Sequence, residues 1–503
     1  MHLSSLIEMI ESGFGDRVLV GGRNEPALSG VDLADLVRRG WQAVADAPAV
    51  VYAGENHPLL PLALLSAACA GVPFVPVNYR LENAQLNALV ARYPGALVLA
   101  DPATTERLRT GSTDFEHWLE QVRAVAPRPL HPCLDDNQVA VALFTSGTTA
   151  EPKTALLRHR HLMAYLLGAV EFASAGPDEA VLIAVPPYHV AGVANMLSNL
   201  FAGRRLVYLT AFGARQWLET VRTEHITHAM VVPTMLRRIV DELAGAPADV
   251  PSLRSLSYGG AKVSEKVIVD ALASFPDTGF VNAYGLTETA STIAVLGPED
   301  HRSAVTSADP VQRRRISSAG RLLPTVDIEV RGDDGSVLDA DQIGSIFVRG
   351  DQISGEYATG SVLDADGWFC TRDLGFVDSE GYLFIEGRAD DTIIRGAENI
   401  APAEIESVLT DHPDVHDACV VGLPDDEWGQ RIVAAVVRRP GGTVSADELR
   451  ELARHVLRGS KTPELIVFRD HLPHTDSGKL LRREVQRDLQ GETRSSAISV
   501  DTP

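Results

Sequence analysis

The sequence predicts an α/β protein with largely parallel sheets, and three observations support this fold class. Short β-branched segments alternate with amphipathic segments between about residues 49 and 243, a pattern typical of βαβ units. Near Gly320 the pattern changes to period-two alternation punctuated by Gly and Asp, which predicts an antiparallel or barrel-like subdomain. Beyond Arg388 the segments become short and mixed, which predicts a small α+β domain.

Each predicted element rests on its own local pattern. The strands of the α/β region are predicted at Ala49–Ala53, Leu97–Ala100, Val139–Phe144, Val181–Val185, Arg205–Leu209 and Ala229–Val232. The helices between them are predicted at Leu59–Ala70, Arg160–Phe172, Ala214–Glu224 and Thr234–Leu243. Antiparallel strands are predicted at Val326–Val330 and Gly344–Val348. The C-terminal elements are predicted at Glu404–Leu409, Ala418–Gly422, Arg431–Val437 and Ser445–Leu457.

Length and composition set the boundaries and exclude some functions. A chain of 503 residues is too long for one ordinary core, and we predict domains at 1–388 and 389–490 with a disordered tail at 491–503. A net charge of −22 argues against a nucleic-acid partner. Four scattered cysteines predict a reducing, cytoplasmic environment, and the N-terminus does not resemble a signal peptide. The apolar window Leu59–Val77 contains three prolines, so we expect a buried helix and strand rather than a membrane span.

Two lysines in segments rich in glycine and hydroxyl groups point to phosphate chemistry. Only five of the 45 basic residues are lysine, and Lys153 and Lys479 both lie in such segments. The segment Thr145–Lys153 follows an apolar strand, so its N–H groups, hydroxyls and lysine form a candidate phosphate cradle. The segment lacks the P-loop pattern, which excludes a standard P-loop nucleotide hydrolase.

A second set of residues is typical of a nucleotide pocket. Tyr284 offers an aromatic face to a purine, and Glu288 is a candidate Mg²⁺ ligand because this hard cation takes carboxylate and phosphate oxygens. Asp373 is suited to accepting ribose hydroxyls. Arg388 is either a nucleotide contact or a surface ion pair. Taken alone, the segment 284–289 also fits a plain strand-to-helix turn.

In this order and spacing, the motifs resemble those of the adenylate-forming superfamily, which includes acyl- and aryl-CoA ligases, luciferases and adenylation domains of peptide synthetases. The resemblance covers roughly residues 15–485 and includes the segment Ala70–Leu81. It implies that a carboxylic acid reacts with ATP to give an acyl-AMP, after which a small mobile C-terminal domain rotates and CoA attacks the adenylate. It also implies a large N-terminal domain with two α/β sheet subdomains and a β-barrel-like subdomain.

The resemblance assigns ATP and its metal to named residues. The phosphates would be held by Thr145, Ser146, Gly147, Thr148, Thr149 and Lys153. Tyr284 would stack on adenine beside Gly260 and Ala261. Thr287 would bind the α-phosphate, and Glu288 would bind Mg²⁺. Asp373 and Arg388 would hold the ribose.

The remaining roles concern the acyl group, CoA and the domain movement. Lys479 would bridge the carboxylate and the α-phosphate, Asp390 would be the hinge, and Gly396 would admit the pantetheine. His189 would be an aromatic gate at the acyl site, with a structural histidine as the alternative. The acyl pocket would be lined by His189, Ala191, Val193, Gly259, Gly260, Ala283 and Gly285.

The chain departs from the family pattern at three positions where glycine is usual: Ala150, Thr154 and Arg372. Glycine allows a positive φ and a close approach to phosphates. Substitutions in the phosphate segment would burden adenylation selectively, because acyl-AMP lacks the β- and γ-phosphates. Lys479 is nevertheless present and serves that same half-reaction in the family.

The sequence therefore predicts a cytoplasmic carboxylic acid–CoA ligase that acts through an acyl-adenylate. The candidate pocket residues are small and apolar with no cation for a second carboxylate, which favours a bulky hydrophobic acid. One alternative enzyme performs mainly the thioester step on acyl-AMP supplied by a pathway partner, and another transfers the acyl group to a carrier protein. A non-catalytic adenylate-binding scaffold is the alternative from another class. High Arg and Ala usage suggests a GC-rich bacterium and a secondary-metabolite pathway.

Overall fold

A computed structural model gives the architecture of the chain. It describes residues 1–23, 26–130, 135–145, 152–395, 398–425, 428–457, 459–475 and 480–498. The strands are β1 (Val18–Val20), β2 (Leu28–Ser29), β3 (Val50–Ala53), β4 (Phe74–Pro76), β5 (Leu97–Ala100), β6 (Val139–Thr145), β7 (Lys153–Arg158), β8 (Ala180–Ile183), β9 (Arg205–Tyr208), β10 (His228–Val231), β11 (Ser255–Gly259), β12 (Gly279–Leu286), β13 (Ser291–Leu296), β14 (Arg321–Leu322), β15 (Asp327–Arg331), β16 (Gly344–Arg349), β17 (Glu356–Tyr357), β18 (Gly360–Ser361), β19 (Phe369–Val377), β20 (Leu383–Arg388), β21 (Ile393–Arg395), β22 (Glu398–Ile400), β23 (Val415–Asp425), β24 (Gly429–Arg438) and β25 (Leu465–Arg469).

The helices connect these strands. They are α1 (Ser5–Phe14), α2 (Gly30–Val44), α3 (Leu60–Ala70), α4 (Asn83–Val90), α5 (Pro102–Thr105), α6 (Phe115–Ala124), α7 (His159–Ala169), α8 (Val190–Ala202), α9 (Ala214–Thr223), α10 (Pro233–Leu243), α11 (Glu265–Ser274), α12 (Pro298–Thr306), α13 (Pro310–Arg314), α14 (Pro402–Thr410), α15 (Ala446–Val456) and α16 (Arg482–Ile498).

Two large mixed sheets form the first part of the molecule. One has the strand order β14-β13-β12-β11-β10-β8-β9-β1-β2, and the other has the order β18-β17-β7-β6-β4-β3-β5. The strands predicted from β-branched runs pair in parallel, for example β3 with β4 and β5, and β10 with β8 and β11. This confirms the predicted α/β class with largely parallel sheets.

One core cluster joins the two sheets through α3 and α8. It contains buried side chains from both helices together with residues of β3, β6 and β8. The helix α3 is buried along nearly its whole length, so it is apolar on every face. The predicted buried helix and strand in the window Leu59–Val77 are therefore confirmed as α3 and β4. None of the helices in the described ranges is long and apolar enough to cross a membrane.

The later strands form separate antiparallel and mixed sheets. The sheet β15-β16-β19-β20 is antiparallel throughout, as period-two alternation predicts. After β20 the chain contributes to a β21-β22 hairpin and to a sheet with the order β23-β24-β25. Two apolar clusters lie around that last sheet, beneath α14 and α15 on one side and α16 on the other. The boundary between residues 388 and 389 stays a prediction.

Two predicted segments need correction. The helix predicted to reach Phe172 ends at Ala169, because the chain turns away to bring the Ala173 amide to the Phe201 carbonyl at 3.1 Å. The tail predicted to be disordered from Gly491 instead continues α16 as far as Ile498. An ion pair between Glu492 and Arg469 at 2.6 Å joins this extension to β25, which local composition does not reveal. Residues 499–503 lie outside the described residues.

Candidate active site

Three of the predicted nucleotide residues form one cluster. The Tyr284 hydroxyl donates to Asp373 Oδ2 at 2.5 Å, and Arg388 Nη1 lies 2.9 Å from Asp373 Oδ1. Asp373 is buried at 4% exposure, and burial followed by the Asp373 charge raises the pKa of the Tyr284 hydroxyl. A carboxylate offers about four lone-pair sites, so Asp373 is the type of acceptor that ribose hydroxyls need. We call this group the Tyr284 cluster.

Strand pairing explains why these side chains meet. Asp373 on β19 lies directly opposite Arg388 on β20. The Thr371 hydroxyl accepts from the Asp373 amide at 3.1 Å and donates to the Ile346 carbonyl at 2.9 Å, which fixes the backbone on which Asp373 sits. Opposite charges across an antiparallel pair are favourable. The partner of Arg388 is thus the buried Asp373, so the pair differs from the surface ion pair expected as one alternative, and the nucleotide contact stays a prediction.

A second cluster surrounds the candidate metal ligand Glu288. The Tyr357 hydroxyl donates to Glu288 Oε1, and Lys153 Nζ lies 5.4 Å from the centre of the Tyr357 ring. Burial and the Glu288 carboxylate raise the pKa of Tyr357, while Arg372 and Arg388 act in the opposite direction. The two clusters are thus electrostatic neighbours. We call this second group the Glu288 cluster.

The turn that carries Glu288 has a strained backbone. Residues Thr287–Thr289 form a single 3₁₀ turn, and Ala290 and Ser291 after it have φ values of +51° and +105°. Such conformations are rare outside glycine and cost about 1–3 kcal/mol each, so surrounding contacts must hold them. The buried Gln352 amide supplies two, donating to the carbonyls of Thr289 at 3.0 Å and Thr292 at 2.9 Å.

Backbone hydrogen bonds tie this turn to the strand of Lys153. The Glu288 carbonyl accepts from the Ser354 amide at 2.8 Å and from the Gly355 amide at 3.1 Å. The Ser354 hydroxyl reaches the Leu156 carbonyl on β7 at 2.6 Å, and Tyr357 pairs with Ala155. Through these hydrogen bonds, the segment 354–357 fixes the position of the Glu288 turn relative to β7, the strand that begins at Lys153.

The candidate phosphate segment is described only at its two ends. Thr145 ends β6 and lies opposite Lys153, which begins β7. Ser146, Gly147, Thr148, Thr149 and Ala150 lie outside the described residues, as do Gly396 and Lys479. Their predicted roles stay predictions.

Thr154 does not need glycine's freedom. It lies inside β7 opposite Phe144, is 7% exposed, and is not among the residues with positive φ. A β-branched residue suits a strand, so the expected strain at Thr154 is absent. Arg372 differs, since its φ is +61°. Arg372 therefore adopts the left-handed conformation that glycine takes without strain.

His189 lies at the start of α8, where its ring contacts the ring of Tyr188 with centroids 4.6 Å apart. Of the predicted acyl-pocket residues, Val193 lines a small, mostly apolar cavity of about 10 Å³. The other walls of this cavity are Asn56, Leu60, Phe74, Ile183, Val185, Pro187, Gly192, Met196 and Tyr208. Ala191, in contrast, packs against a different apolar cluster from the one that buries Val193. The structure thus does not gather the predicted pocket residues around this cavity.

The predicted pocket glycines have different structural reasons. A Cβ at Gly259 would lie 2.2 Å from the Ala283 carbonyl oxygen, and one at Gly285 would lie 1.8 Å from that of Ser291. The backbone of the neighbouring strand comes so close to Gly259 and Gly285 that only glycine fits at either position. Gly260 has φ +88° and no atom within 4 Å of a Cβ position, and the half-buried Ala261 follows it. The surface at Gly260 and Ala261 is therefore accessible to a ligand.

Comparison with known proteins decides the family. The model of the AMP-binding enzyme family matches residues 36–358, and that of the AMP-binding enzyme C-terminal domain matches residues 404–479. The chain belongs to the AMP-binding enzyme family. The resemblance drawn from its motifs is confirmed, and so is a fold with a large N-terminal and a small C-terminal domain.

Relatives of this AMP-binding enzyme are ligases. It is 32% identical over 498 residues to an indoleacetate–CoA ligase of Aromatoleum aromaticum, covering 93% of this chain and 94% of the relative. It is 33% identical over 467 residues to the fatty acid–[acyl-carrier-protein] ligase ScoC of Streptomyces coeruleorubidus, covering 88% and 87%. A solved o-succinylbenzoate-CoA synthetase of Bacillus subtilis, in complex with the acyl-adenylate OSB-AMP, superposes with a TM-score of 0.82 at 25% identity over 96% of this chain and 97% of that chain. The AMP-binding enzyme is thus a ligase of the acyl- and aryl-CoA ligase group, whose members use ATP and CoA.

One carboxylate of the AMP-binding enzyme, Glu288, is a candidate ligand for Mg²⁺ that is bound together with ATP. Within the described ranges, no group of three or more His, Cys, Asp or Glu side chains is arranged to hold a metal ion. Glu288, at 8% exposure, is a single buried carboxylate beside the candidate phosphate segment. Mg²⁺ is usually bound by one or two carboxylates together with substrate phosphates and waters. Glu288 therefore fits an ion that arrives with ATP.

Tyr357 and Gln352 of the AMP-binding enzyme were missed by sequence reasoning. Tyr357 reaches Glu288 across 69 residues of chain, and Gln352 reaches Thr289 across 63. Neither residue lies in a recognisable motif, and only the pairing of β17 with β7 brings this segment to the turn. A sequence signal for them would require knowledge of which strands pair.

Proposed function

We propose that this protein is a carboxylic acid–CoA ligase that forms an acyl-CoA thioester through an acyl-adenylate, with a bulky hydrophobic acid as substrate. The observation that carries the proposal is that β12 and the turn directly after it supply residues to both clusters. Tyr284 lies near the end of β12, and Glu288 lies in the 3₁₀ turn that follows, directly before the strained residues Ala290 and Ser291. A nucleoside subsite at Tyr284 and a phosphate subsite at Glu288 would therefore be only four residues apart on one short, constrained stretch of chain. This arrangement suits a nucleotide attacked at its α-phosphate.

In the first half-reaction a carboxylate oxygen attacks the α-phosphorus of ATP. The bond from that phosphorus to the pyrophosphate oxygen breaks, giving acyl-AMP and pyrophosphate. Tyr284, Asp373 and Arg388 would hold the nucleoside, and Thr287 would contact the α-phosphate. Lys153 would act with the segment 145–149 on the leaving phosphates, and Lys479 would act on the attacking carboxylate. When bound, Mg²⁺ at Glu288 would neutralise charge on the phosphates.

In the second half-reaction the CoA sulfur attacks the acyl carbon and AMP leaves. Only the AMP moiety, the acyl carbonyl and CoA take part, so the residues around the β- and γ-phosphates are not needed. Gly396 would give the pantetheine room, and Asp390 would be the hinge of the domain rotation between the two steps.

We infer that the enzyme acts in the cytoplasm. The three described cysteines Cys69, Cys370 and Cys419 are free thiols, as is usual for proteins of a reducing compartment.

The relatives support the substrate class without naming the acid. One acts on indoleacetate and another on a fatty acid, as their names state. The predicted acyl-pocket residues Ala191, Val193, Gly259, Gly260, Ala283 and Gly285 are small and apolar and include no cation to pair a second carboxylate. A monocarboxylic acid with an apolar body is therefore the substrate class that we infer.

Two narrower alternatives are kept because an observation favours each. The carrier-protein ligase among the relatives supports a carrier protein as the thiol acceptor in place of CoA. The family departure at Ala150 supports an enzyme that works mainly on pre-formed acyl-AMP from a partner. Both alternatives use the same adenylate site.

The purified protein should be incubated with ATP, Mg²⁺, CoA and one of three acids: indole-3-acetate, a long-chain fatty acid or 2-succinylbenzoate. We expect AMP, pyrophosphate and the acyl-CoA in equal amounts with one of the first two acids, and little product with the dicarboxylate. Parallel reactions start from each pre-formed acyl-AMP with CoA. A protein that makes no thioester from any acid or any adenylate would contradict the proposal.

Lys479→Ala separates the two half-reactions. The lysine charge is needed while the carboxylate attacks the α-phosphate and is not needed once acyl-AMP exists. The variant should lose product from acid plus ATP by at least about a hundredfold and keep its rate from acyl-AMP plus CoA. An equal loss in both reactions would show that Lys479 is not the adenylation lysine.

A further inference from the structure

The chain crosses from the sheet of the active site to the C-terminal sheets through one short turn. Strand β20 ends at Arg388, the 3₁₀ turn Ala389–Asp391 follows, and β21 begins at Ile393. Strand β20 pairs with β19, whereas β21 pairs with β22. Any movement of the C-terminal part relative to β19 must therefore alter the backbone of this turn, which we call the linker turn.

Arg372 faces the linker turn from an unusual backbone. It lies on β19 between the buried residues Thr371 and Asp373, and its φ is +61°. A left-handed conformation is unfavourable for a residue with a long side chain. The Arg372 side chain is 51% exposed, so burial does not account for the conformation. A strained residue beside a binding site is a reason to look for a function.

The Arg372 side chain reaches the linker turn itself. Its Nη1 lies 3.6 Å from Asp390 Oδ2, and Asp390 is 36% exposed. Directly before the turn, Arg388 at the end of β20 forms a second pair with Asp373 of β19 at 2.9 Å, which belongs to the Tyr284 cluster. Strand β19 is thus joined to the linker turn itself by the exposed Arg372–Asp390 pair, and to the strand before the turn by the half-buried Asp373–Arg388 pair. Asp391, next in the turn, lies 3.5 Å from Arg482 of the C-terminal part.

We propose that Arg372 is a positioning residue that clasps the linker turn through Asp390 and thereby sets the balance between adenylation and thioester formation. The proposal rests on the proposed function, since only a two-step reaction with domain rotation has such a balance. The Arg372–Asp390 pair stabilises the orientation of the linker turn that the structure shows, and the pair breaks when the turn rotates. Because both groups are exposed, the effect is modest and salt weakens it.

Three variants at position 372 separate charge from backbone strain. Arg372→Lys keeps a cation, Arg372→Asn removes it while tolerating a positive φ, and Arg372→Gly removes both the cation and the strain. We expect the ratio of the adenylation rate to the thioester rate from acyl-AMP to change by about two- to fivefold in the Asn and Gly variants and to stay near wild type in the Lys variant.

A double-variant cycle identifies the partner. Asp390→Asn should shift the ratio as Arg372→Asn does, and the double variant should shift it no further. Raising the salt concentration should bring wild type toward the Asn variant. Arg349→Asn is the control, because Arg349 and Asp327 form another exposed pair, at 3.1 Å, on the same sheet but between β15 and β16. This control should leave the ratio unchanged.

Hydrogen exchange of the linker turn supplies a readout that does not need activity. Amides of residues 389–392 should exchange faster in Arg372→Asn and Asp390→Asn than in wild type and Arg372→Lys. Unchanged exchange, or additive effects in the double variant, would overturn the proposal. A changed KM for ATP with an unchanged ratio would also overturn it, since Arg372 would then contact the nucleotide. If wild type makes no thioester, the proposed function fails while the exchange experiment still tests the clasp.

Discussion

Tyr357 contacts both the predicted metal ligand Glu288 and the predicted phosphate lysine Lys153. Its hydroxyl holds one oxygen of Glu288, and its ring lies under Lys153. A group that orients a metal ligand through a hydrogen bond typically changes metal affinity about ten- to a hundredfold when it is removed. Tyr357 is therefore placed to affect adenylation and not the thioester step.

We predict that Tyr357→Phe raises the Mg²⁺ concentration needed for half-maximal pyrophosphate release by about tenfold. The ring under Lys153 remains, so only the Glu288 contact is lost. Binding of Mn²⁺ with ATP, followed by electron paramagnetic resonance, should weaken in parallel, while the rate from acyl-AMP plus CoA should not change. The control is Tyr382→Phe, which removes a hydroxyl bond of 2.7 Å to Asp300 elsewhere. Equal behaviour of the two variants would refute the assignment.

The phosphate segment offers a second prediction at the residue scale. Thr154 is accommodated in β7, so Ala150 is the remaining departure from glycine there. If Ala150 impairs adenylation, Ala150→Gly should raise pyrophosphate release several-fold and leave the rate from acyl-AMP unchanged. Thr154→Gly should not raise it and should lower the stability by about 1 kcal/mol, because glycine weakens a strand interior. No gain from Ala150→Gly would leave an ordinary two-step ligase.

Motif residues were predictable where chemistry is local. Tyr284, Glu288, Asp373 and Arg388 stand in short segments whose residue types suit a nucleotide, and the structure places them in two adjacent clusters. Thr154 was misjudged because a glycine in a family pattern does not reveal which φ the position adopts. The acyl pocket was not predictable, since it depends on which helix faces meet.

At the scale of elements, the junction of β12 and β13 is the most constrained part of the site. The strand register shifts between Tyr284 and Gly285, and this bulge separates Tyr284 from the turn that carries Glu288. A Cβ at Gly285 would lie 1.8 Å from the Ser291 carbonyl oxygen, inside a backbone already strained at Ala290 and Ser291. The nearest atoms to this Cβ position all belong to the backbone of Ser291 and Thr292, so no flexible side chain can move away to make room.

We predict that Gly285→Ala lowers the free energy of unfolding by more than about 2 kcal/mol and reduces AMP affinity. The matched control is Gly111→Ala, because a Cβ at that exposed position meets no atom within 4 Å. The control should stay within about 0.5 kcal/mol of wild type. Urea unfolding and calorimetric titration with AMP measure the two quantities. A Gly285→Ala protein as stable as the control would show that the bulge relaxes freely.

Elements were more predictable than their arrangement. Parallel strands such as β5 follow directly from short β-branched runs between turns, and Leu97–Ala100 is found as predicted. The order of strands within each sheet depends on long-range packing, and a single sequence does not contain it in local form. The insertion of β17 beside β7, which carries Tyr357 to Glu288, is one such case.

At the scale of the whole molecule, buried neutral histidines set the response to acid. Burial lowers the pKa of His159 to about 3 and the pKa values of His2, His57, His161 and His228 to about 4, from a usual value near 6.5. Below pH 6.5 the unfolded chain takes up protons at these positions and the folded chain does not. Stability is therefore fully present above that pH and is lost as the pH falls toward about 4.

We predict that the free energy of unfolding in urea falls steadily between about pH 6.5 and about pH 4.5. His159→Phe keeps the stacking on His2, whose ring centre is 3.5 Å away, and removes one titrating group, so its stability should fall less steeply. His117→Gln is the control, since His117 is 60% exposed. Identical slopes in both variants would show that His159 does not contribute.

Trapping the intermediate tests the central claim most directly. The protein is mixed with indole-3-acetate or a long-chain fatty acid, Mg²⁺ and ATP labelled at the α-phosphate, without CoA, and the bound label is identified before and after a chase with CoA. We predict an enzyme-bound acyl-AMP that disappears on the chase in step with the appearance of acyl-CoA and labelled AMP. Release of labelled ADP, or an acyl-AMP that CoA does not consume, would contradict the assignment of this site to an adenylate-forming CoA ligase.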